Sequence, residues 1–350
     1  MGGVEKVFLN IASVANNKEI VLVPIHKNYD TEFVSQIPKN VKIINNDNFC
    51  IKGFVAPFNI INFSKFLNNK FKHEDLCCIN FSDTISTVIL SLLIKAKFHY
   101  SWCHCNPLAF KNSKFFLSYK ILFRKFDLIV NLCSTQKKAF CDVFGKHFEN
   151  KSKICFNLTD INGIQKSVKE TLNIDYKYIV HVSRIDSRSK DFYTLIDAYK
   201  LLLDNIGKNI KLLLVGDGPD RKKIEDYVEL NGLKNYVVFS GMQKNPYKYM
   251  ANAECFVLSS KTEGFPLVIC EALSCGCPVI SSDCVAGPND ILQNGKYGLL
   301  FKVGDAAGLE NCLERILTDE NLREKLKNMA KKRVEEINRF SIKTINEILI

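Results

Sequence analysis

Glu263-Gly264-Phe265-Pro266-Leu267-Val268-Ile269-Cys270-Glu271 sets two carboxylates eight positions apart around a Gly-Phe-Pro step. Just upstream, Cys255-Phe256-Val257-Leu258 is a short apolar run of the kind that forms a buried strand. Pro266 stands where the first turn of a helix favours proline. Glu263 therefore belongs to a loop at the carboxyl end of a strand, with Glu271 about a turn and a half into the next helix. Amide groups at a helix start attract negative charge, and ligands of open α/β sheets settle beyond the carboxyl ends of the strands. Two readings stay open for the stretch taken alone. It is a ligand site where acceptors and donors converge, or a capped helix with an exposed Glu at each end.

Two neighbouring segments bear on that choice. Tyr178-Ile179-Val180-His181-Val182-Ser183 reads as a strand that ends at Arg184, and Lys190 follows just before a periodic helix from about Phe192 to Leu203. Two cations at a strand-to-helix junction suit a diphosphate, whose oxygens gain charge as a bond breaks. Lys211-Leu212-Leu213-Leu214-Val215 is a second strand, opening into Gly216-Asp217-Gly218-Pro219. An ordinary turn explains that glycine pair equally well.

From about Tyr178 to Phe301 the chain resembles the donor-binding domain of family-4 retaining glycosyltransferases, which have the GT-B fold. The likeness rests on Val182-Ser183-Arg184…Lys190, Val215-Gly216-Asp217-Gly218-Pro219, Phe239-Ser240-Gly241 and Glu263-Gly264-Phe265-Pro266…Glu271-Ala272 in that order. Gly276-Cys277-Pro278-Val279-Ile280 and Asn294-Gly295…Gly298-Leu299-Leu300 continue it. The resemblance implies two doubly wound Rossmann-like domains facing a central cleft, with a C-terminal helix crossing back to the first. It implies sugar transfer from a nucleotide-sugar donor with retention at the anomeric carbon, the sugar being a hexosyl or N-acetylhexosaminyl group. No cofactor or metal is implied, because Arg184 and Lys190 hold the diphosphate. Glu263 would accept hydrogen bonds from donor-sugar hydroxyls, beside the backbone of Gly264, Phe265, Pro266 and Leu267, and Glu271 would grip the two ribose hydroxyls. Gly216 belongs with the donor-binding residues. Gly2 and Gly3 would let the backbone approach the phosphates and the acceptor. The carboxylate pair of a glycosidase must flank one bond, and Glu263 and Glu271 lie instead among phosphate-binding signals.

At 350 residues, 47% of them apolar and 24% charged, the chain accommodates two globular domains. The expected division is 1–165 for an acceptor-binding domain, 166–335 for the nucleotide-sugar domain and 336–350 for the returning helix. No apolar run approaches the eighteen or more residues of a spanning helix. Met1-Gly2-Gly3-Val4-Glu5-Lys6 lacks the regions of a signal peptide, so the expected location is the cytoplasm. The fourteen cysteines contain no C-x2-C pair, and most sit in apolar runs as small hydrophobes.

The amino-terminal half holds strand-like segments at 20–24, 76–81 and 127–130. The family places a first strand before the glycine-rich loop, and here only Met1 precedes Gly2-Gly3. The expectation is a missing first strand, with Met1 an internal methionine of a longer reading frame; the alternative is a domain that starts with its helix. In Tyr100-Ser101-Trp102-Cys103-His104-Cys105-Asn106-Pro107, His104 resembles the family's histidine that contacts the donor sugar. A core or surface histidine is the other reading.

The net charge of +11 is uneven. Residues 1–165 hold 21 lysines and arginines against 12 aspartates and glutamates, a balance of +9, and the remainder balances at +2. The segment 110–126 interleaves aromatic and basic residues in a way that fits an anionic bilayer surface, or an ordinary helix with its aromatics turned inward. The expected partners are a nucleotide sugar, a glycan or lipid-linked acceptor of cell-envelope polysaccharide or lipopolysaccharide synthesis, and an anionic membrane's inner face. Nucleic acid is not expected, since no recognition module appears. A nicotinamide enzyme is disfavoured because no Gly-x-Gly-x-x-Gly opens a helix after a strand. A noncatalytic nucleotide-sugar binder remains the competing function.

Overall fold

The computed structural model describes residues 3–24, 31–44, 57–207 and 209–349. The chain divides into two compact units, one comprising residues 1–158 and 340–350, the other residues 159–339. The expected boundary at 165 falls inside the helix Ile161–Ser167, and the observed one precedes that helix. The last helix, Glu320–Ile348, is counted with the second unit through Arg339 and with the first from Phe340.

Among the described residues, the first unit has six parallel strands in two sheets. β1 (Ile20–Leu22) pairs with β2 (Val41–Ile43), while β3 (Cys77–Asn80), β4 (Phe98–Cys103), β5 (Leu128–Asn131) and β6 (Ser152–Ile154) form a sheet in that order. Among the described residues, the chain opens on the helix Gly3–Val14, with no strand before β1. The core beside β5 is built from aromatics: Phe110, Tyr119, Phe123, Phe126, Phe140, Phe144 and Phe148 are all buried together. Their rings meet mostly edge to face at about 5 Å, as Phe123 does with Phe144 at 5.0 Å, an arrangement that adds to plain area burial.

The second unit is one six-stranded parallel sheet. Its strands are β7 (Tyr178–Val182), β8 (Lys211–Val215), β9 (Val237–Gly241), β10 (Cys255–Leu258), β11 (Val279–Ser282) and β12 (Leu299–Phe301). Their spatial order is β12-β11-β10-β7-β8-β9. This is the doubly wound order, and its direction reverses between β7 and β10. Both β10 and β11 are buried at every position, which is why they read as unbroken apolar or small-residue runs. Helix Phe192–Ile206 covers one face with Phe192, Leu195, Ile196, Tyr199 and Leu202, joined there by Leu309 and Leu313 of helix Ala306–Thr318. Asp191 caps the first of these helices, accepting from the Thr194 hydroxyl at 2.9 Å. Two helices close the described chain, Ala306–Thr318 ending before Glu320–Ile348 begins, and the expected returning segment 336–350 is the end of the second. These elements put the loops after β7 and β10 side by side at the switch point.

Candidate active site

The loop after β7 carries Arg184 and Lys190, and the loop after β10 carries Ser260 and Glu263. A backbone bond from Asp191 N–H to the Ser259 carbonyl (2.8 Å) and a bridge between Lys190 and Ser260 lace the two loops together. Lys190 Nζ consequently reaches the Glu263 carboxylate, and it donates to Ser260 Oγ at 3.3 Å. Ser260 in turn donates to Glu263 Oε1 at 2.6 Å. The two ionised side chains keep only 15% and 13% of their surface exposed. Removing one partner of so enclosed a pair leaves the other's charge without its counter-charge. Ser282 of β11 fixes the base of the group, accepting the Ser260 amide at 2.9 Å and donating to the Ser260 carbonyl at 2.7 Å.

His181, inside β7, underlies the same corner. Its Nδ1 lies 2.8 Å from the Val257 carbonyl and its Nε2 2.8 Å from Ser183 Oγ. A carbonyl only accepts, so Nδ1 carries the proton and Nε2 is the acceptor facing Ser183 Oγ, whose single proton also has the Arg184 carbonyl within reach at 3.1 Å. Burial, and then the charge of Lys190, push the imidazole down to about 3, so the ring is neutral at ordinary pH. Arg184, one residue beyond Ser183, is exposed. The structure thus joins Lys190 to Glu263 and leaves the Arg184 guanidinium at the solvent side of the strand end.

The Gly-Phe-Pro step links Glu263 to the helix Leu267–Ser274. Pro266 is the cap of that helix (φ −74°, ψ 90°) rather than its first residue, one position earlier than the sequence predicts. Its extended ψ turns the chain into the helix axis, and Phe265 is buried beneath the turn. Gly287 presses on this step from the loop after β11: at φ 105°, an added Cβ would come within 2.5 Å of Pro266 Cδ. Glu271 is the fifth residue of the helix and accepts the Tyr247 hydroxyl at 3.1 Å. Gly216 is needed for contact between loops, because at φ 136° a Cβ there would lie 1.9 Å from the Ser183 carbonyl oxygen.

In the first unit, His104 follows β4. Its amide and that of Cys105 donate to Asp83 Oδ2 at 2.9 and 2.7 Å, and the Phe81 ring lies 4.4 Å from the imidazole. Burial lowers the ring's pKa to about 4. Gly3 opens the first helix with free space around it, and Gly2 lies outside the described residues. The segment 110–126 turns Phe110, Tyr119, Phe123 and Phe126 into the core. What it leaves outside is aliphatic and basic: Leu117 (73% exposed) and Ile121 (61%) lie one helical turn apart, near the exposed Lys111, Lys114, Arg124 and Lys125.

Sequence reasoning missed Ser260, Ser282, Tyr247 and Asp83. Ser260 carries a faint signal, a polar pair closing an apolar strand. The others act across 20 to 40 residues of chain, which no local pattern reveals. Among the described residues, no group of three or more His, Cys, Asp or Glu is placed to hold a metal ion, and all thirteen cysteines there are free thiols.

Parallel sheets wound with helices on both sides of a switch point define an α/β protein, and its fold is GT-B. The solved structure of Anabaena Alr3699/HepE in complex with UDP-glucose superposes with a TM-score of 0.76 at 21% identity, covering 99% of this chain and 96% of that one. Residues 164–333, just under half of the chain, match the model of glycosyl transferases group 1. It is 28% identical over 302 residues to the uncharacterised glycosyltransferase MJ1059 of Methanocaldococcus jannaschii, covering 73% of this chain and 74% of that protein. It is 30% identical over 233 residues to the N-acetylgalactosamine-N,N'-diacetylbacillosaminyl-diphospho-undecaprenol 4-alpha-N-acetylgalactosaminyltransferase of Campylobacter jejuni, covering 66% of this chain and 61% of that enzyme.

Proposed function

We propose that this chain transfers a sugar from a nucleotide-sugar donor, with retention, to a glycan or lipid-linked glycan acceptor of cell-envelope polysaccharide synthesis. The observation that carries the reading is the Lys190–Ser260–Glu263 cluster at the switch point of the second unit. An ammonium has three N–H donors. Two engage Ser260 and Glu263, and the third is available to a phosphate oxygen of the donor. Lys190 and Arg184 together neutralise the departing diphosphate, with no metal required of the protein. Glu263, held by Lys190, offers its remaining lone pairs to sugar hydroxyls, and Glu271, steadied by Tyr247, takes the ribose diol. His104, neutral and with an enclosed Nε2 that lacks a partner, is the histidine we assign to the donor sugar. The relatives support a lipid-linked acceptor, since the Campylobacter enzyme's name specifies one. No described helix is long and apolar enough to cross a membrane. We therefore assign the work to the inner membrane face, approached through the basic face that bears Leu117 and Ile121.

A panel of nucleotide sugars, read by thermal shift and by release of the nucleoside diphosphate, tests the reading. One member should protect the protein and turn over with EDTA present. Lys190→Ala should cost about 10²–10³ in kcat, the loss typical of one preorganised electrostatic donor. The split sheet of the first unit favours a second reading, a binder without turnover. Protection without any release of diphosphate in the presence of acceptor extracts would establish that one.

A further inference from the structure

We propose that Asp83 is the positioning residue for His104, its carboxylate fixing the turn from which the imidazole leaves the backbone. This inference rests on the sugar-transfer reading above. Asp83 sits in the loop between β3 and the helix Ile85–Leu93. A single oxygen, Oδ2, takes the consecutive amides of His104 and Cys105. Two N–H groups converging on one anionic oxygen define the orientation of both peptides, and hence where the side chain between them leaves the backbone. Asp83 is itself anchored, because its carbonyl accepts the hydroxyl of the buried Tyr119 at 3.0 Å. Gln136 braces the other side, donating from Nε2 to the carbonyls of Cys103 (3.2 Å) and Cys105 (2.8 Å).

Plain structural bracing leaves one observation unexplained. Asp83 Oδ1 and His104 Nε2 are both closed off from solvent and lack a hydrogen-bond partner. A buried polar atom without a partner is costly unless something completes it. A fold that needed only a stable turn would be served by an amide or hydroxyl here. The charged, incompletely satisfied carboxylate is retained where the ring must be held ready for an incoming partner.

The groups facing the carboxylate are His104 and Cys105 from the turn, Cys103 from β4 and Tyr119 from the helix Phe116–Leu122. None is a cation near neutrality. Burial accordingly raises the Asp83 carboxyl to about 6, against the lowering effect of the two amides. Protonation weakens Oδ2 as an acceptor, so the turn loosens as pH falls through that value, while the imidazole itself stays neutral to about 4.

The experiment is a pH titration of the full chain labelled with ¹³C at histidine, with His104→Gln assigning the His104 signal. The wild-type signal should show a distinct step centred near pH 6 that precedes ring protonation, and Asp83→Asn should abolish it. A His104 signal that passes smoothly from pH 7.5 to 5 in the wild type overturns the proposal, as does an unchanged step in the variant. The wild-type titration alone is decisive if the variant does not fold. With the nucleotide sugar that the panel identifies, Asp83→Asn should lose about tenfold or more in kcat at unchanged donor KM, as expected for a misplaced contact. Absence of any turnover would overturn sugar transfer and leave the histidine titration to decide Asp83 independently.

Discussion

His181 shows how one buried side chain ties the Lys190–Glu263 corner to stability. Its ring is held neutral in the folded state, where its pKa lies near 3, and it returns to the ordinary range near 6.5 on unfolding. Between those values the unfolded chain binds the extra proton, so the second unit gains stability as pH rises and loses it as pH falls. The slope is about 1.4 kcal/mol per pH unit for one such group. Chemical denaturation of the chain from pH 7 to 4.5 should record that decline for the second unit, and His181→Gln should flatten it. An identical slope in the variant would assign the acid sensitivity elsewhere. Lys190 and Glu263 were legible as candidates because their charge types and their place after apolar runs already restrict the chemistry. Their contact was not legible, since it depends on Ser260 and on a backbone bridge between segments 70 residues apart.

Elements of the second unit announce themselves because the sheet is covered on both faces. Runs such as Lys211–Val215 and Cys255–Leu258 are then nearly all apolar, and the glycine after a strand is placed by sterics. Gly216 is the clearest instance. Its positive φ and its closeness to the Ser183 carbonyl leave no room for Cβ, so Gly216→Ala should push the β8 loop off the β7 loop. The expected cost is about 1–3 kcal/mol of stability, with a weaker thermal shift by nucleotide sugar, measurable by differential scanning fluorimetry. A variant as stable and as well protected as wild type would remove the glycine from the site. The first unit was harder to read for a physical reason. β1 is three half-exposed residues and β3 begins with the exposed Cys77, so neither gives a long buried run. The aromatic-rich segment 110–126 matched two environments equally, because bulky rings suit a bilayer surface and a protein core alike. Packing decided for the core, and the large apolar side chains of the segment that reach solvent are the aliphatic Leu117 and Ile121, among exposed basic residues.

At the scale of the whole molecule, charge is partitioned more sharply than composition. Nearly all of the +11 lies in residues 1–165, and part of it surrounds the exposed Leu117–Ile121 face. Each lysine or arginine near an anionic surface contributes about 1 kcal/mol of attraction. Full burial of a leucine or isoleucine adds about 1.5–3 kcal/mol. Neither contribution anchors the protein irreversibly; together they give reversible binding that weakens as salt shortens the screening length to about 8 Å at physiological strength. Co-sedimentation should therefore show binding to vesicles containing phosphatidylglycerol at low salt, little binding to neutral vesicles, and release at about 0.5 M salt. Leu117→Glu with Ile121→Glu should cut the bound fraction at least tenfold. The melting temperature should stay unchanged, because both side chains already stand in water. Binding that is indifferent to lipid charge and to both substitutions would leave the basic face without a membrane role and assign its lysines to solubility alone.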